Sequence, residues 1–566
     1  MTVERSPEVV LVAPTSMTNR ELGEMKKRGI IHLIPSLGLV YVATQLNESG
    51  IPTQIIDVEA ERLTIEETVK RIEDLRPKVV GFAGWINNVD NAAQLAGRLK
   101  QSRVPFGTFV GGPHPSAVGV ETMQRYPEFD YAILGEGEIT ASILVGNWGN
   151  ETVISKTSGI IYRRQDGSLG YVKDTAFGYT RSIDAIIRDG SLEDKTELLE
   201  IQQAGEIQTN RIDLPDLPWP AKSPRVEHLD ELPYPDYSLI EKYFHSYHLS
   251  EFGPSKPGET QMTFGTARGC PFGCSFCDQE VSGHTWRGMS PDRIVETMLR
   301  LKRMGFDYLY NTDDLYLVKL GWVEKTARLI LENPELRGIR WEAITRPNLV
   351  NRAANHMVDY KGATMSLLEF VHLAGCEQLH IGVESGNEEL RKTALGKRLT
   401  NLEIMSAIDY LKKAGIQVKT LCMVGAPGET PEETLETLQF IKQMGDAGAD
   451  WAMVAVCTPL PMTPLAQLIE HGQLKWTGDL HNWKAMTMWD AAGVFTTDIY
   501  GNQVDFTPPD ILHLARGKFR LGNQVRPQDV RDGATIEQRI TIVQAAVDEY
   551  RRNQPKSILT PHSVSR

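Results

Sequence analysis

Cysteine is scarce in this chain, and so are long apolar runs and positive charge. Six cysteines in 566 residues are too few for a disulfide scaffold. No run of about 18 apolar residues indicates a membrane span. No apolar segment follows a basic start, so we expect no secretory signal and a cytoplasmic location. The net charge of −13, from 60 Lys and Arg against 73 Asp and Glu, disfavours nucleic acid as a partner, because phosphate binding needs a basic surface.

The first 145 residues alternate short apolar strands with amphipathic helices. Thr64 and Glu67 have the spacing of a capping box at the start of one helix. Alternation of this kind is typical of a doubly wound parallel sheet, which binds ligands at the carboxyl ends of its strands. The predicted strands are 9–14, 53–58, 78–84, 106–112 and 130–138.

Residues 146–259 interrupt this alternation and predict a linker with a small subdomain. The stretch 160–172 has the pattern of a β-hairpin with its turn at Asp166-Gly167, and 181–203 has helical character. Proline-rich segments follow, and proline removes a backbone donor and restricts φ. We therefore expect an irregular connection here between two larger domains.

A second alternating series occupies 260–465 and predicts a partial (βα)6 barrel. Capping boxes at Thr400/Glu403 and Thr430/Glu433 mark the starts of two of its helices. The remaining residues, 466–566, have mainly helical character. The strands of this series are predicted at 263–267, 307–312, 339–345, 378–384, 417–425 and 451–456.

Three of the six cysteines lie within eight residues, directly after the first strand of the second series. Cys270, Cys274 and Cys277 can ligate three irons of a 4Fe-4S cluster and leave the fourth iron open to a small molecule. A zinc site completed by His284, or three unligated thiols, are the alternatives. Cys376, Cys422 and Cys457 lack close spacing and are interpreted as small buried hydrophobic residues.

The spacing CxxxCxxC, with Phe276 before the third cysteine and six βα units around it, resembles the radical S-adenosylmethionine (SAM) superfamily. The resemblance implies that the open iron binds SAM, which is then cleaved to methionine and a 5′-deoxyadenosyl radical. It also implies further cofactor contacts. These are Glu384, Ser385 and Gly386 to ribose and the amino group, Arg346 to the carboxylate, and a turn with Gly425 and Gly428 near adenine.

A parallel domain placed before such a barrel resembles the cobalamin-binding branch of the superfamily. The cobalt-ligating motif DxHxxG does not occur, so His114 is not assigned as a cobalt ligand. Trp85 is a candidate cover for the lower cobalt face, or a residue that packs against a helix. The residues that the resemblance assigns to cobalamin are Pro35, Leu37, Trp85, Asn87, Gly111, Gly112, His114, Ser116, Gly135, Glu136 and Gly137.

Together the two resemblances imply a cobalamin-dependent radical SAM methyltransferase, of a kind typical of natural-product biosynthesis. The substrate radical would take a methyl group from methylcobalamin at an unactivated carbon. The implied partners are a small-molecule or peptide substrate and an external flavodoxin or ferredoxin reductant. A cyclase or ring-rearranging enzyme with the same cofactors is the main alternative. A methylthiotransferase is opposed by the cysteine count, and a non-enzymatic cobalamin or redox sensor has no need of an open iron.

Overall fold

The computed structural model describes residues 7–17, 34–102, 106–173, 221–247, 261–278, 281–483, 486, 492–503, 506–521 and 535–553. Two seven-stranded sheets dominate these residues. The helical character predicted for 181–203 lies outside them. No helix in the described part of the chain has the length and apolar character needed to cross a membrane.

The first sheet has the strand order β2-β1-β3-β4-β5-β6-β7, and β1 to β5 are parallel. The hairpin expected within 146–259 forms, but it pairs antiparallel with β5 and extends this sheet beyond residue 145. The strands are β1 Val9–Ala13, β2 Thr53–Asp57, β3 Val79–Ala83, β4 Gly107–Gly111, β5 Tyr131–Ile133, β6 Ile160–Arg163 and β7 Leu169–Tyr171. The helices are α1 Leu37–Glu48, α2 Val58–Glu61, α3 Ile65–Leu75, α4 Val89–Lys100, α5 Pro113–Arg125, α6 Glu138–Gly146 and α7 Glu151–Ile154.

The second sheet has six parallel strands in the order β17-β16-β15-β12-β11-β8, with β18 antiparallel at one edge. All six predicted strands are present. The strands of this sheet are β8 Gln261–Phe264, β11 Tyr308–Asn311, β12 Arg340–Thr345, β15 Cys376–Glu384, β16 Gln417–Val424, β17 Trp451–Val456 and β18 Gly517–Arg520. Two separate two-stranded sheets pair β9 Ala267–Arg268 with β10 Arg287–Gly288 and β13 Met357–Tyr360 with β14 Ala363–Ser366. The helices are α8 Pro291–Arg303, α9 Leu320–Glu332, α10 Pro347–Ala354, α11 Leu367–Leu373, α12 Glu388–Thr393, α13 Asn401–Lys413, α14 Pro431–Asp446, α15 Pro464–Glu470, α16 Pro509–Ala515 and α17 Ile536–Asn553.

Local sequence explains where several helices begin. The capping boxes predicted at Thr64, Thr400 and Thr430 are confirmed, and Ser366 forms a fourth with Glu369. In each box the hydroxyl accepts a bond from the third helical residue, whose own carboxylate accepts the backbone N–H of the cap. The short hairpin β13–β14 and the edge strand β18 were not predicted from the sequence.

Three tyrosines of the segment 221–247 hold the two sheets together. The hydroxyl of Tyr237 donates to the carbonyl of Thr263 in β8 at 2.8 Å. The hydroxyls of Tyr243 and Tyr247 both donate hydrogen bonds to acceptors at the end of β2. Tyr247 donates to the Asp57 carboxylate at 2.9 Å. All three rings are buried, so this segment is part of a continuous apolar core between the sheets rather than a loose linker.

Candidate functional site

The three clustered cysteines occupy one loop, between β9 and β10. The loop leaves β9 through Gly269, whose φ of +89° is a backbone conformation that residues other than glycine rarely adopt. The backbone N–H of Cys270 donates to the carbonyl of Gly283 at 3.1 Å, which closes the base of the loop. Ser275 anchors its centre, because the Ser275 hydroxyl donates to the carbonyl of Ala394 at 2.6 Å. The fold therefore holds this short loop against the barrel from two sides.

His284, the candidate fourth zinc ligand, hydrogen-bonds the backbone of Phe272. A zinc site would need this fourth ligand, whereas three thiolates suffice for a 4Fe-4S cluster whose fourth iron stays open. Burial raises the pKa of Cys270 to about 12, so a metal must displace its proton.

Arg346 lies beside the cysteine loop, as the sequence predicts. Its guanidinium stands 3.8 Å from the centre of the Phe272 ring, and its Nη1 is 3.5 Å from the Sγ of Cys274. The side chain is buried and also bonds Asn348. A fixed cation next to the thiols suits an anionic group, such as a carboxylate, bound at the open side of a cluster.

Glu384, Ser385 and Gly386 lie together at the carboxyl end of β15. Glu384 has a φ of +68° and forms a buried ion pair with Lys397 at 2.8 Å. The hydroxyl of Thr437 in α14 accepts the N–H of Gly386 at 3.0 Å and lies 3.3 Å from the Ser385 hydroxyl. A Cβ on Gly386 would approach the Thr437 backbone to 2.9 Å, so only glycine fits here.

The turn after β16 contains the two glycines assigned to adenine. Gly425 and Gly428 both have φ above +80°. Glu429 accepts the N–H of Ala426 at 2.8 Å and closes the turn, and burial raises the pKa of this carboxyl to about 7. Thr507 of the C-terminal region donates its N–H to the carbonyl of Glu429 at 3.2 Å. The turn is therefore fixed both internally and from the C-terminal region.

Two aspartates directly after β11 support the cysteine loop, and the sequence analysis did not predict them as site residues. Asp313 accepts the N–H groups of Thr266 and Ala267 at 2.6 and 2.9 Å. Asp314 accepts the N–H of Gly269 at 2.7 Å. Burial raises the pKa of Asp313 to about 6 despite these bonds. The sequence signal was the polar run Asn-Thr-Asp-Asp directly after an apolar strand.

In the first domain, the glycines predicted to approach cobalamin lie at the carboxyl ends of β4 and β5. Gly112 has a φ of +117°, and a Cβ there would stand 2.9 Å from the carbonyl oxygen of Gly84. Ser116 joins the two loops, because its hydroxyl donates to the carbonyl of Gly112 at 2.7 Å and accepts the N–H of Gly135 at 2.8 Å. Gly111 and Gly137 border the same edge. This edge is a backbone-lined cradle that a large ligand can approach closely.

The other residues assigned to cobalamin surround that edge. Pro35 precedes α1, and Leu37 is the first residue of that helix. A Cβ built on Gly265, which follows β8, would lie 4.0 Å from Leu37 Cδ2, so the start of α1 lies against the mouth of the barrel. Trp85 follows β3 and is 52% exposed. Asn87 is also exposed, whereas Asn88 accepts the N–H of Trp85 at 2.7 Å.

His114 is buried, and neither of its ring nitrogens has a hydrogen-bond partner among the residues that the structure describes. Burial and the nearby charge of Arg125 lower its pKa to about 3, so the ring is neutral. Trp483 of the C-terminal region packs edge-on against it, with ring centres 4.3 Å apart. An unpaired imidazole next to the glycine cradle fits a hydrogen bond to a ligand held there.

Four charged residues connect this cradle to the cysteine loop, and we refer to Arg268, Arg287, Glu136 and Glu138 as the arginine–glutamate clamp. Arg268 and Arg287 belong to β9 and β10, the strands that bracket the cysteine loop. Arg287 bonds both carboxylate oxygens of Glu136, at 2.5 and 3.1 Å. Arg268 contacts Glu138 at 2.6 Å and Glu136 at 3.5 Å.

The clamp is almost completely withdrawn from water. The side chains of Glu136 and Arg287 are 1% and 5% exposed. Burial alone would raise the pKa of Glu136, but the bond from Arg287 and the charges of both arginines lower it below its usual value. The N–H of Val226 also donates to Glu136 at 2.8 Å. Each charge in a buried ion pair needs its partner, because removal of one partner leaves the other charge buried and uncompensated.

Comparison with known proteins assigns the two domains. Residues 265–441 match the Radical SAM superfamily, and residues 31–145 match the B12 binding domain. The chain thus combines a radical SAM domain with a B12 binding domain. Its cofactors are a 4Fe-4S cluster, SAM and cobalamin.

Several curated proteins are similar along most of the chain. An uncharacterised methyltransferase of Pyrococcus horikoshii, PH0819, is 26% identical and covers 87% of this chain and 88% of its own length. Cytidylyl-2-hydroxyethylphosphonate methyltransferase of Streptomyces wedmorensis is 24% identical, with 73% and 74% covered. The anaerobic magnesium-protoporphyrin IX monomethyl ester cyclase of Rubrivivax gelatinosus is 23% identical, with 76% and 66% covered.

A solved structure shares the architecture. The radical SAM methyltransferase TsrM from Kitasatospora setae, with cobalamin and a 4Fe-4S cluster bound, aligns with a TM-score of 0.57 at 14% identity. The alignment covers 84% of this chain and 81% of TsrM. The two-domain fold predicted from the sequence is confirmed, whereas the individual cofactor contacts stay predictions.

The cysteine loop yields a first prediction. Cys277→Ala removes one of three cluster ligands, so we expect anaerobically reconstituted protein to lose SAM cleavage while it still retains cobalamin. Deoxyadenosine and cobalt per chain measure the two properties separately. Cys376→Ala, a buried thiol at the opposite end of β15 from Glu384, is the control and should cleave SAM normally. Native deoxyadenosine formation by Cys277→Ala would contradict the assignment of this ligand.

A second prediction concerns the glycine cradle. Gly112→Ala adds a Cβ against the Gly84 carbonyl at a positive φ, so we expect cobalamin retention after desalting to fall at least tenfold, with iron content unchanged. Gly146→Ala is matched to it, because that glycine has a helical φ and nothing within 4 Å of the added Cβ. Equal cobalt retention by the two variants would exclude close approach of the ligand at Gly112.

A third prediction concerns the clamp. Glu136→Gln leaves Arg287 buried without its countercharge, which should lower the free energy of unfolding by about 3 kcal/mol. Glu335→Gln breaks an exposed bidentate pair with Arg303 and should cost less than about 1 kcal/mol. Denaturant unfolding followed by intrinsic fluorescence compares the two.

The same measurement has an expected pH dependence. Because the folded pKa of Glu136 lies below its unfolded value, the clamp stabilises the protein fully above the ordinary glutamate pKa. This contribution disappears as the pH falls through the folded pKa. The difference between native protein and Glu136→Gln should therefore shrink in acid, and a difference that grew in acid would contradict this account.

Proposed function

We propose that this protein is a cobalamin-dependent radical SAM methyltransferase that methylates an unactivated carbon of a small-molecule or peptide substrate. The observation that carries the proposal is the arginine–glutamate clamp. It joins the loop after β5, which borders the cobalamin cradle, to both strands that bracket the cysteine loop. Transfer of a methyl group to a short-lived carbon radical requires the two cofactors to face one substrate at close range.

We assign cobalamin binding to residues 1–145, the radical SAM barrel to 260–465, and covering of the substrate to 466–566. When bound, the cluster supplies the electron that cleaves SAM into methionine and a 5′-deoxyadenosyl radical, and cobalamin supplies the methyl group. The protein itself contributes orientation and exclusion of water, which protect a radical from side reactions. An external flavodoxin or ferredoxin would supply the electron.

The chain's own residues divide these tasks. Cys270, Cys274 and Cys277 would hold the cluster, and Arg346 would meet the SAM carboxylate beside Cys274. Glu384, already at a positive φ and paired to Lys397, would accept hydrogen bonds from the SAM amino group or ribose. In the first domain, Trp85 presents an exposed indole at the sheet edge, where it could cover the lower cobalt face.

A cyclase or ring-rearranging activity is the second candidate. The anaerobic magnesium-protoporphyrin cyclase, which is similar over 76% of this chain, favours it. The cofactor-binding residues would be the same in both cases. The two functions differ only in whether a methyl group leaves SAM and reaches cobalamin.

The proposal predicts a methyl transfer from SAM to cobalamin, which can be measured without knowing the substrate. Protein reconstituted anaerobically with iron, sulfide and hydroxocobalamin should hold about four irons and one cobalt per chain. After reduction and addition of SAM labelled with ¹³C at the methyl group, we expect labelled methylcobalamin, detected by mass spectrometry.

Each outcome of this experiment is informative. If the protein holds cobalt but forms no labelled methylcobalamin, the result would favour the cyclase alternative. Four irons without cobalt would contradict cobalamin dependence and with it the proposed methylation. Cys277→Ala, which should retain cobalamin, serves as the control for the contribution of the cluster.

A further inference from the structure

The connection between α12 and α13 contacts both the cysteine loop and the residue assigned to SAM at the end of β15. Ser275, at the centre of the cysteine loop, donates its N–H to the carbonyl of Leu395 at 3.2 Å and its hydroxyl to the carbonyl of Ala394 at 2.6 Å. Two residues further along the connection, Lys397 forms the ion pair with Glu384 at 2.8 Å. A short stretch of backbone therefore ties Glu384 to the loop that is assigned to the cluster.

The ion pair stands on the inner face of the barrel sheet. Ile381 and Val383 of β15 are fully buried in the main apolar core. Because side chains alternate along a strand, Gly382 between them faces the opposite side, towards the interior of the barrel. A Cβ on Gly382 would lie 2.5 Å from Lys397 Nζ and 2.6 Å from Glu384 Oε1. The ion pair thus occupies the space that a side chain at this position would fill.

Both charges of the pair are largely withdrawn from water. The side chains of Lys397 and Glu384 are 4% and 10% exposed. Glu384 also has a φ of +68°, a conformation that a glutamate rarely adopts and that persists only where the surrounding structure holds it. A buried carboxylate without a countercharge would be costly. Lys397 therefore compensates the charge of Glu384 and restrains its side chain.

A second buried cation holds the neighbouring backbone. Arg391 of α12 is fully buried, and its Nε donates to a backbone carbonyl of the same connection at 2.9 Å. Its two terminal nitrogens donate to the carbonyl of Ser385 and, at 2.8 Å, to the side-chain oxygen of Asn401. Each guanidinium nitrogen thus has an oxygen partner other than Glu384. Arg391 fixes the loop but does not replace Lys397 in the ion pair.

We propose that Lys397 is a positioning residue for SAM. It orients the Glu384 carboxylate for a hydrogen bond from the SAM amino group or ribose, and its own segment holds that carboxylate at a fixed place relative to the cysteine loop. Lys397 bonds one carboxylate oxygen, Oε1, and the ligand would meet the other. A charge-assisted hydrogen bond of this kind depends on an acceptor in a fixed position.

This inference rests on the part of the proposed function that assigns Glu384 to SAM. It holds for methylation and for cyclisation alike, because both candidate functions begin with the cleavage of SAM. It concerns the binding of SAM and not the transfer of a methyl group, so the two can be measured separately.

Substitution of Lys397 tests this role on protein reconstituted anaerobically with cluster and cobalamin. SAM affinity is measured by equilibrium dialysis with the cluster oxidised, so that no SAM is cleaved. Lys397→Met keeps a long side chain but removes the charge, and we expect the affinity to fall about tenfold, the value of one hydrogen bond to a charged group. Iron per chain should stay unchanged. Lys392→Met, which breaks an exposed pair with Glu389 in α12, is the control and should bind SAM normally.

A double-mutant cycle separates positioning from direct contact. If Lys397 acts through Glu384, then Glu384→Gln should weaken SAM binding by itself, and the addition of Lys397→Met should weaken it little further. The double variant leaves neither charge of the pair buried alone, so its thermal stability should exceed that of either single variant while its SAM affinity stays low. Stability that recovers without affinity distinguishes positioning from a purely structural role. Losses that multiply would show direct contact between Lys397 and SAM and would overturn the proposal.

Gly382→Ala displaces the ion pair and leaves both charges in place. The added methyl group lies where the pair stands, so we expect a loss of SAM affinity similar to that of Lys397→Met. This variant tests the proposal even if Lys397→Met does not fold. Gly321→Ala is matched to it, because that glycine is exposed in α9 and has nothing within 4 Å of the added Cβ.

Unchanged SAM affinity in Lys397→Met or in Gly382→Ala would overturn the proposal. Unchanged affinity in Glu384→Gln would overturn it together with the assignment of Glu384 to SAM. The labelled methylcobalamin experiment on native protein from the same preparation reports the proposed function independently. If the variants bind SAM weakly but the native protein forms no methylcobalamin, the role of Lys397 stands and the methyltransferase is rejected.

Discussion

The buried ion pairs between Arg268, Arg287, Glu136 and Glu138 are the constraint on which the rest of the site depends. Without them, the two sheets would still pack together through the tyrosines, but the loop after β5 would lose its ion pairs to the strands that bracket the cysteines. With them, each of the two strands that bracket the cysteines is bonded to the loop after β5. Charges this deeply buried tolerate little displacement, because moving one partner leaves the other unsolvated.

The other contacts at the domain junction act in the same direction. Tyr237 bonds β8, while Tyr243 and Tyr247 bond the end of β2. Their phenols withdraw backbone and carboxylate acceptors from water and fill the space between the sheets with rings. The tyrosines thus fix the distance between the sheets, and the clamp fixes which loops meet across it. Both are needed, since apolar packing alone is not directional.

The fold was accessible from sequence because apolar strands and capping boxes are local signals. Parallel strands such as β1 and β3 are nearly continuous apolar runs, and the cysteine spacing is confined to eight residues. The clamp was not accessible, since Glu136 and Arg287 are 151 residues apart and the sequence assigned Glu136 to cobalamin rather than to an ion pair. Strand β18 was missed because four residues at a sheet edge, with two outward charges, have no clear period. The exposure of Trp85 also depends on tertiary packing.

The C-terminal region connects the two cofactor sites by a second route. Thr507 bonds the turn at Glu429 that is assigned to adenine, whereas Trp483 packs on His114 beside the cobalamin cradle. Arg125 stacks on the same indole at 4.5 Å and bonds the carbonyl of His481. One stretch of chain therefore contacts residues assigned to both cofactor sites. Because the proposed function assigns this stretch to covering the substrate, we expect a change at either site to alter the enclosure of the substrate. Such enclosure would exclude water, which is the condition that radical chemistry requires.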